Sequence, residues 1–378
     1  MSASFSIQRI FADHWPAFLV SFLNIRPVVL AEVRKMLSCG DPRNGYILYR
    51  CPSCFKKLIV PFRCKSRFCP TCGNAYQQDR SLSIFSKLLN CSHRHIVFTI
   101  PAELRPLFRL ERQLLSVLFT ASSSTLLSWF AGLNQSEHFV PGIVASLHTF
   151  GRDLKWNPHI HILVTEGASG RSIPWKQIHH IPFVMLRKRW QATLLSLLDN
   201  SIDDPQLAAT FSALKSVLFK RYPDGFYVNA PYKSRSSTKH TVKYIVRYLG
   251  RPPMAQSRIL NYDGSSVTFF YHRHEDGAYV EECIPAFDFI KRLIIHIPDR
   301  SFHMLRYYGL YTASRHTNLA RRFFHCYHDN LVKYFPTFRR WVYRFAFSFN
   351  INPNLCSCGQ FMEVVAVVPA KLVKYFPP

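Results

Sequence analysis

Apolar and polar positions recur with two periods along the chain, and these periods predict strands interleaved with helices. Apolar runs of strand length lie at 95–101, 142–150, 158–165 and 225–229. Stretches with helical spacing lie at 77–89, 103–133, 183–198, 205–220 and 236–250. The runs 257–262 and 267–272 predict a hairpin that turns at Asp263 and Gly264. This alternation lacks the glycine-rich phosphate turn of a dinucleotide-binding fold, so it favours an α+β class.

The composition adds a strong charge to this pattern. The 378 residues include 48 Lys and Arg against 22 Asp and Glu, a formal net charge of +26. Such an excess favours a polyanionic partner, with nucleic acid first and an anionic membrane surface second. Hydrophobic residues make up 48% of the chain, which excludes disorder of the whole chain, and the length allows about two or three domains.

The N-terminal region does not have the pattern of a secretory signal. Arg9, Asp13 and His14 interrupt its apolar residues, and no basic segment precedes a clean apolar core. No uninterrupted apolar run reaches the ~18 residues that a bilayer span needs. The sequence therefore predicts a soluble protein of the cytoplasm without a membrane partner.

Six of the eleven cysteines fall between Cys39 and Cys72 and indicate a metal site. Two C-x-x-C pairs, Cys51 with Cys54 and Cys69 with Cys72, have nearly zinc-ribbon spacing, and we expect both pairs to bind one ion. Cys39 and Cys64 complete a second site, replace a ligand, or are simply buried; we expect them to bind zinc. Four thiolates leave no open coordination position, so this zinc would be structural.

Basic and aromatic residues alternate between the two cysteine pairs. The segment contains Lys56, Lys57, Arg63, Lys65, Arg67, Phe62 and Phe68. A basic, aromatic surface on a small metal-bound module suits DNA, and Lys65 and Arg67 are the predicted contacts. The alternative is an ordinary solvated charged face.

Three His-x-His patterns occur, and the middle residue distinguishes them. In a strand, successive side chains face opposite sides of the sheet. With Ile160 between them, His159 and His161 would face a cleft while Ile160 enters the core. The pairs at 93–95 and 272–274 have Arg between them, which predicts that their opposite face is solvated.

A third ligand beside His159 and His161 would come from the preceding strand. A hairpin between runs 142–150 and 158–165 would bring His148 next to the pair. The resulting three-histidine site would bind a divalent cation and leave positions open for substrate oxygens. The alternative for His148 is a hydrogen-bonded core histidine.

The basic helical segment carries two tyrosines one turn apart. Tyr244 and Tyr248 would share one face, with apolar residues opposite and with Lys243, Arg247 and Arg251 among the flanking cations. Tyr307 and Tyr311 have the same spacing, but Tyr308 and Gly309 between them make a regular exposed helical face a poor fit. Structural aromatics are the alternative for both pairs.

Phenols on a cationic helix together with a divalent-metal site describe one reaction. A tyrosine would attack a phosphodiester, because neighbouring positive charge favours the phenolate and the metal polarises the phosphate. The product, a phosphotyrosine, conserves the energy of the broken bond, so the strand can be rejoined without ATP.

Several motifs, in this order, resemble the two-tyrosine HUH transposases of the IS91-like rolling-circle insertion sequences. The matching segments are Cys39-Gly40, the two C-x-x-C pairs, Leu147-His148-Thr149-Phe150-Gly151, Pro158-His159-Ile160-His161, Tyr244-Ile-Val-Arg-Tyr248 and Arg306-Tyr-Tyr-Gly309-Leu310. The resemblance implies a helical and zinc-binding domain at 1–92, an HUH nuclease domain with a central antiparallel sheet at 93–300, and a helical, basic region at 301–378.

The resemblance also implies a function. It matches His159 and His161 to the ligands of a catalytic Mg or Mn ion, and Tyr244 and Tyr248 to the paired nucleophiles. The implied activity, in a bacterial cytoplasm and close to the nucleoid, is rolling-circle transposition of single-stranded DNA through a 5′-phosphotyrosine. The histidines precede the tyrosines, as in replication initiators and transposases of this superfamily and unlike conjugative relaxases.

Two departures and two alternatives accompany this interpretation. Asn157 precedes Pro158, and Cys356-Ser357-Cys358 has one intervening residue where a zinc knuckle has two, which speaks against a C-terminal zinc site. A plasmid- or phage-type replication initiator would use the same chemistry without the zinc module. A non-catalytic zinc-ribbon DNA-binding protein would keep the charge and the cysteines but make no use of the histidines and tyrosines.

Overall fold

A computed structural model describes most of the chain. The described residues are 5–85, 87–178, 180–229, 253–273, 276–312, 346 and 352–372. The predicted basic helix at 236–250, with Tyr244, Tyr248, Lys243, Arg247 and Arg251, lies outside them. The described residues form helices, antiparallel sheets and connecting turns, which confirms the α+β class.

The largest sheet has five antiparallel strands in the order β12-β4-β5-β3-β8. Their bounds are β3 His93–Thr99, β4 Gly142–Phe150, β5 Trp156–Thr165, β8 Val228–Asn229 and β12 Leu305–Gly309. Alternate residues of the three inner strands β3, β4 and β5, such as Phe98, Leu147 and Ile160, are almost fully buried in the main core. The opposite face of the same strands is therefore available for polar side chains.

Helices cover the apolar face of this sheet. They are α4 Arg105–Leu110, α5 Leu115–Ala131, α6 Phe183–Asp199 and α7 Pro205–Arg221. The continuous helix expected over 103–133 is wrong, because Glu111 leaves the helical region with φ −102° and ψ 80°. The adjacent Arg112 guanidinium donates hydrogen bonds to the carbonyl oxygens of Ile295 and Ile297. These tertiary contacts outweigh the local helical preference at the break.

Within the described part of the chain, the segment Arg112–Ala131 is long and apolar enough to cross a bilayer by length and composition alone. Inside the protein, 67% of its most apolar stretch is buried. Its side chains pack in the main core beneath the five-stranded sheet. This packing is typical of the core helix of a domain.

A second core lies between the N-terminal helices and a three-stranded sheet. The elements are α1 Ile7–Ser21, α2 Pro27–Leu37, β9 Ile259–Tyr262, β10 Ser266–His272, β11 Tyr279–Pro285 and α8 Ala286–Ile294. The predicted hairpin is confirmed by the β9–β10 pairing. At its turn the Asp263 carboxylate accepts hydrogen bonds from the Ser265 and Ser266 amides, and Gly264 has φ +96°.

A third sheet joins residues from both ends of the chain. Its order is β13-β1-β2, with β1 Gly45–Arg50, β2 Lys57–Pro61 and β13 Glu363–Pro369. Helix α3, Pro70–Phe85, follows this module, and β6 Gly167–Ala168 pairs with β7 Lys176–Gln177. The domain boundary at residue 300 stays a prediction, but β12 and β13 lie beyond it and each adds a strand to a sheet that begins earlier.

Candidate functional site

The β4–β5 pairing places three histidines on one face of the central sheet. His148 lies directly opposite His159 in the register, and His161 follows two residues later on the same face. Ile160 points the other way and is fully buried in the core. The alternation therefore separates the imidazoles from the apolar core as the sequence predicts.

The three imidazoles converge to within metal-binding distance. One nitrogen from each of His148, His159 and His161 lies within 4.8 Å of the others, and the Nε2 atoms of His159 and His161 are 3.0 Å apart. The Nδ1 atom of His159 donates a hydrogen bond to the Asn157 carbonyl at 2.7 Å. That bond fixes the tautomer and directs the lone pair of Nε2 toward the other two rings.

Burial favours the neutral form of His161. Only 6% of His148 and 8% of His161 are exposed. Burial, together with the neighbouring imidazoles, lowers the pKa of His161 well below its ordinary value of 6.5. An uncharged imidazole has a free lone pair, so His161 is held in the protonation state that cation binding requires.

A fourth histidine, His95 on β3, belongs to this site and was missed by the sequence analysis. Its Nε2 lies 2.8 Å from Nδ1 of His161, and the two rings stack. The predicted solvation opposite the 93–95 pair is wrong, because Arg94 is 94% buried and forms an ion pair with Glu166 at 2.8 Å. The run at 95–101 did predict a strand, but its place beside β5 depends on strand order, which local sequence does not contain.

The other His-x-His members and the rival tyrosines have structural partners or lie elsewhere. His93 lies close to the Cys91 carbonyl and to the Tyr311 hydroxyl. Tyr307 lies on strand β12, so the expectation that Tyr307 and Tyr311 do not share a helical face is confirmed. His272 is exposed at the end of β10, and residue 274 lies outside the described part of the chain.

Eight cysteines in the described part of the chain form two clusters, and the expectation of one ion between the two C-x-x-C pairs is wrong. Cys39, Cys64, Cys69 and Cys72 bring their sulfur atoms together, with Cys72 Sγ 3.5 Å from both Cys39 Sγ and Cys64 Sγ. Gly73 follows directly: a Cβ there would lie 2.6 Å from a backbone oxygen, so this turn requires glycine.

The second cluster corrects the expectation against a C-terminal metal site. Cys51 and Cys54 meet Cys356 and Cys358, not the other pair of their own segment. The pairing of β1 with β13 brings the tail back to the N-terminal module. Spacing along the sequence could not show this, because the partners lie about 300 residues apart.

The segment around the first cysteine cluster lies next to the sheet face that carries His148, His159 and His161, which we call the histidine face. A cavity of about 50 Å³ is lined by Arg67, which lies between Cys64 and Cys69, by Tyr76 of α3, and by His148 and Thr149 of β4. The Arg67 guanidinium lies over the Tyr76 ring at 4.9 Å, whereas Lys65 is exposed. Of the two DNA contacts predicted near the first cysteine cluster, Arg67 is therefore the one that lies beside the histidines.

The described residues on either side of segment 230–252 also lie near the histidines. Asn229 pairs with Val97 on β3, and Val97 pairs in turn with His161. Pro253 lines the same cavity as His148. Both attachment points of the segment that carries Tyr244 and Tyr248 are thus at this end of the sheet.

Comparison with known proteins identifies the family. A family model described as "Putative transposase" matches residues 142–318, and one described as "Transposase zinc-binding domain" matches residues 10–100. The chain is 31% identical over 303 residues to "Transposase for insertion sequence element IS801" of Pseudomonas savastanoi pv. phaseolicola, covering 78% of this chain and 72% of that protein.

A second relative and the zinc module agree with this result. The chain is 26% identical over 289 residues to "Putative transposase y4qJ" of Sinorhizobium fredii (strain NBRC 101917 / NGR234), covering 72% of this chain and 71% of that protein. No solved structure matches the chain significantly. The first cysteine cluster lies within the matched zinc-binding domain, which supports structural zinc. The chain therefore belongs to the IS91-type transposases, the family of the IS801 transposase.

Proposed function

We propose that this transposase nicks and rejoins single-stranded DNA at the ends of its insertion sequence through a 5′-phosphotyrosine, in rolling-circle transposition. The observation that carries the proposal is the convergence of His148, His159 and His161 on one face of an antiparallel sheet. Three converging imidazoles in a strongly basic chain suit a cation that acts on a phosphate backbone.

The donor set fits a divalent cation. Three imidazole nitrogens within 4.8 Å of one another could hold such an ion and would leave coordination positions for oxygen atoms. Bound there, Mg or Mn would polarise the scissile phosphate. Nitrogen donors bind first-row transition metals better than they bind Mg, so we expect Mn to support activity at lower concentration.

Tyr244 and Tyr248 are the proposed nucleophiles, carried over from the family resemblance. A phenolate oxygen attacks phosphorus, the bond from phosphorus to the 3′ oxygen breaks, and that oxygen takes a proton to become a free 3′-OH. Lys243, Arg247 and Arg251 flank the tyrosines in sequence, and positive charge favours the phenolate. The attachment of this segment beside the histidines, through Asn229 and Pro253, supports the assignment.

The zinc module is proposed to hold the DNA strand at this site. Arg67 lies at the cavity that His148 lines, and the exposed Lys65 lies two residues away. Their charges would contact phosphates, which position a strand without reading its sequence. Replacing Lys65 or Arg67 should therefore weaken binding for all sequences alike and reduce its salt dependence.

The test uses labelled single strands of the element ends, incubated with the protein and Mn. We expect a covalent adduct that resists denaturation, with mass spectrometry mapping the nucleotide to Tyr244 or Tyr248. The double variant Tyr244→Phe with Tyr248→Phe should form no adduct, while Tyr279→Phe, at an exposed tyrosine of β11, should match the wild type. An adduct that survives the double variant would refute the proposal.

Rejoining distinguishes transposition from replication initiation. A transposase should move the donor end into a second, unlinked target strand, whereas an initiator would only nick and re-close its own origin. Absence of any adduct with either metal would instead support a non-catalytic DNA-binding protein.

A further inference from the structure

The second cysteine cluster has the geometry of a tetrathiolate metal site. Cys51 Sγ lies 3.5 Å from Cys358 Sγ, and Cys54 Sγ lies 3.5 Å from Cys356 Sγ. Four sulfurs at the usual Zn–S distance of about 2.3 Å stand about 3.8 Å apart along each tetrahedral edge. A disulfide would require about 2.0 Å. The observed separations therefore match thiolates around one ion.

The two halves of the cluster are built on the same backbone plan. The Cys51 amide donates to the Lys56 carbonyl at 2.9 Å, and the Cys356 amide donates to the Gln360 carbonyl at 2.9 Å. The C-terminal turn is one residue shorter and is closed by Gly359 at φ +86°, a conformation that glycine adopts without strain. Each turn thus presents two thiols from a tight loop.

The small sheet beside this cluster has little apolar core of its own. Its buried residues are Tyr49, Cys51, Val60, Cys356 and Met362 on the side of the cluster, and Tyr46 and Val368 elsewhere in the sheet. On β13 the side chains of Val364, Val365 and Val367 are more than half exposed. Small modules with so little buried surface are commonly stabilised by a structural metal.

We propose that Cys51, Cys54, Cys356 and Cys358 bind a second structural zinc ion, which fastens the C-terminal strand β13 to the N-terminal zinc domain. Binding converts four thiols to thiolates, so four protons pass to solvent and no sulfur changes oxidation state. With all four positions occupied by protein, the ion offers no site for substrate. The bridge closes a loop of about 300 residues that contains the central sheet.

Thiol alkylation tests the site in the intact protein. Cys54, Cys358 and Cys283 are all exposed, so burial alone predicts that all three react alike with N-ethylmaleimide. A zinc-thiolate site predicts that Cys54 and Cys358 resist alkylation under reducing conditions while Cys283 reacts, and that all three react after a chelator is added. Equal reaction of all three cysteines in the zinc-loaded protein would overturn the proposal.

Metal content provides the second measurement. The wild type should contain two zinc ions per chain, and Cys356→Ser with Cys358→Ser should contain one. The control Cys91→Ser with Cys283→Ser, two cysteines outside both clusters, should keep two. One zinc in the wild type, two in the tail variant, or iron in the second site would contradict the proposal. If the tail variant does not fold, the alkylation of the wild type decides.

The zinc bridge also predicts a change in proteolysis. When the zinc-loaded protein is treated with a protease, the segment from Cys356 through β13 should be protected. In the tail variant the same segment should be cleaved several-fold faster, with cleavage elsewhere unchanged. Equal cleavage rates would show that the strand pairing holds the tail without the metal.

Discussion

Replacing His95 by leucine tests whether a neighbouring imidazole positions a metal ligand. For His161 Nε2 to hold a lone pair for the cation, its Nδ1 must carry the proton and donate it to Nε2 of His95, 2.8 Å away. Burial lowers the pKa of His95 to about 4, so His95 stays neutral and accepts that bond. Losing such an outer partner typically weakens metal binding ~10- to 100-fold. That factor corresponds to about 1.4–2.8 kcal/mol.

The assay is adduct formation on a single-stranded end substrate as a function of Mn concentration. His95→Leu should shift the half-saturating Mn concentration upward by the same factor and approach the wild-type rate at saturation. His95→Gln, which keeps a hydrogen-bonding group, should fall between the two, and the exposed His272→Leu should leave the curve unchanged. An unshifted Mn curve would refute the positioning role, and a rate that saturating Mn cannot restore would show that His95 acts in the reaction itself.

Three further predictions concern the framework around this site. Glu166→Gln removes the carboxylate that pairs with the buried Arg94 guanidinium, so the free energy of unfolding in urea should fall by about 3–5 kcal/mol. A loss below about 1 kcal/mol would mean that this ion pair contributes little to stability. Burial lowers the pKa of His296 from 6.5 to about 4, so protons favour the unfolded chain. The contribution of His296 to stability should be full above pH 6.5 and be lost toward pH 4, by up to ~3 kcal/mol, and His296→Asn should remove this part of the pH dependence in urea titrations. Gly73→Ala places a Cβ 2.6 Å from a backbone oxygen, so we expect metal analysis to show the loss of one zinc ion. Full zinc content would show that the turn adjusts to accommodate the methyl group.

The histidine face was predictable because its signal is local. A period of two separates His159 and His161 from Ile160, and the short connection between runs 142–150 and 158–165 favours a hairpin that carries His148 to them. The pairing of His148 with His159 confirms this arrangement. Metal binding by the three residues stays a prediction.

What sequence could not supply is the pairing of distant elements. Strand β3 joins the far side of β5, and only that order brings His95 to His161 and buries Arg94 against Glu166. The cysteines show the same limit, because two C-x-x-C pairs close together in sequence look like one ribbon. The partners of Cys51 and Cys54 depend on the pairing of β13 with β1, two strands that lie about 300 residues apart in the sequence.

The zinc-binding domain is coupled to the histidine site through helix α3. This helix begins directly after Cys69, contains Cys72, and at its other end packs Ile84 against Val144 and Leu163. Val144 lies on the strand that carries His148, and Leu163 lies on the strand that carries His159 and His161. The first cysteine cluster therefore fixes the start of a helix whose end covers the histidine face. A structural zinc ion in the first cluster would therefore help to position a helix that packs against both histidine-bearing strands.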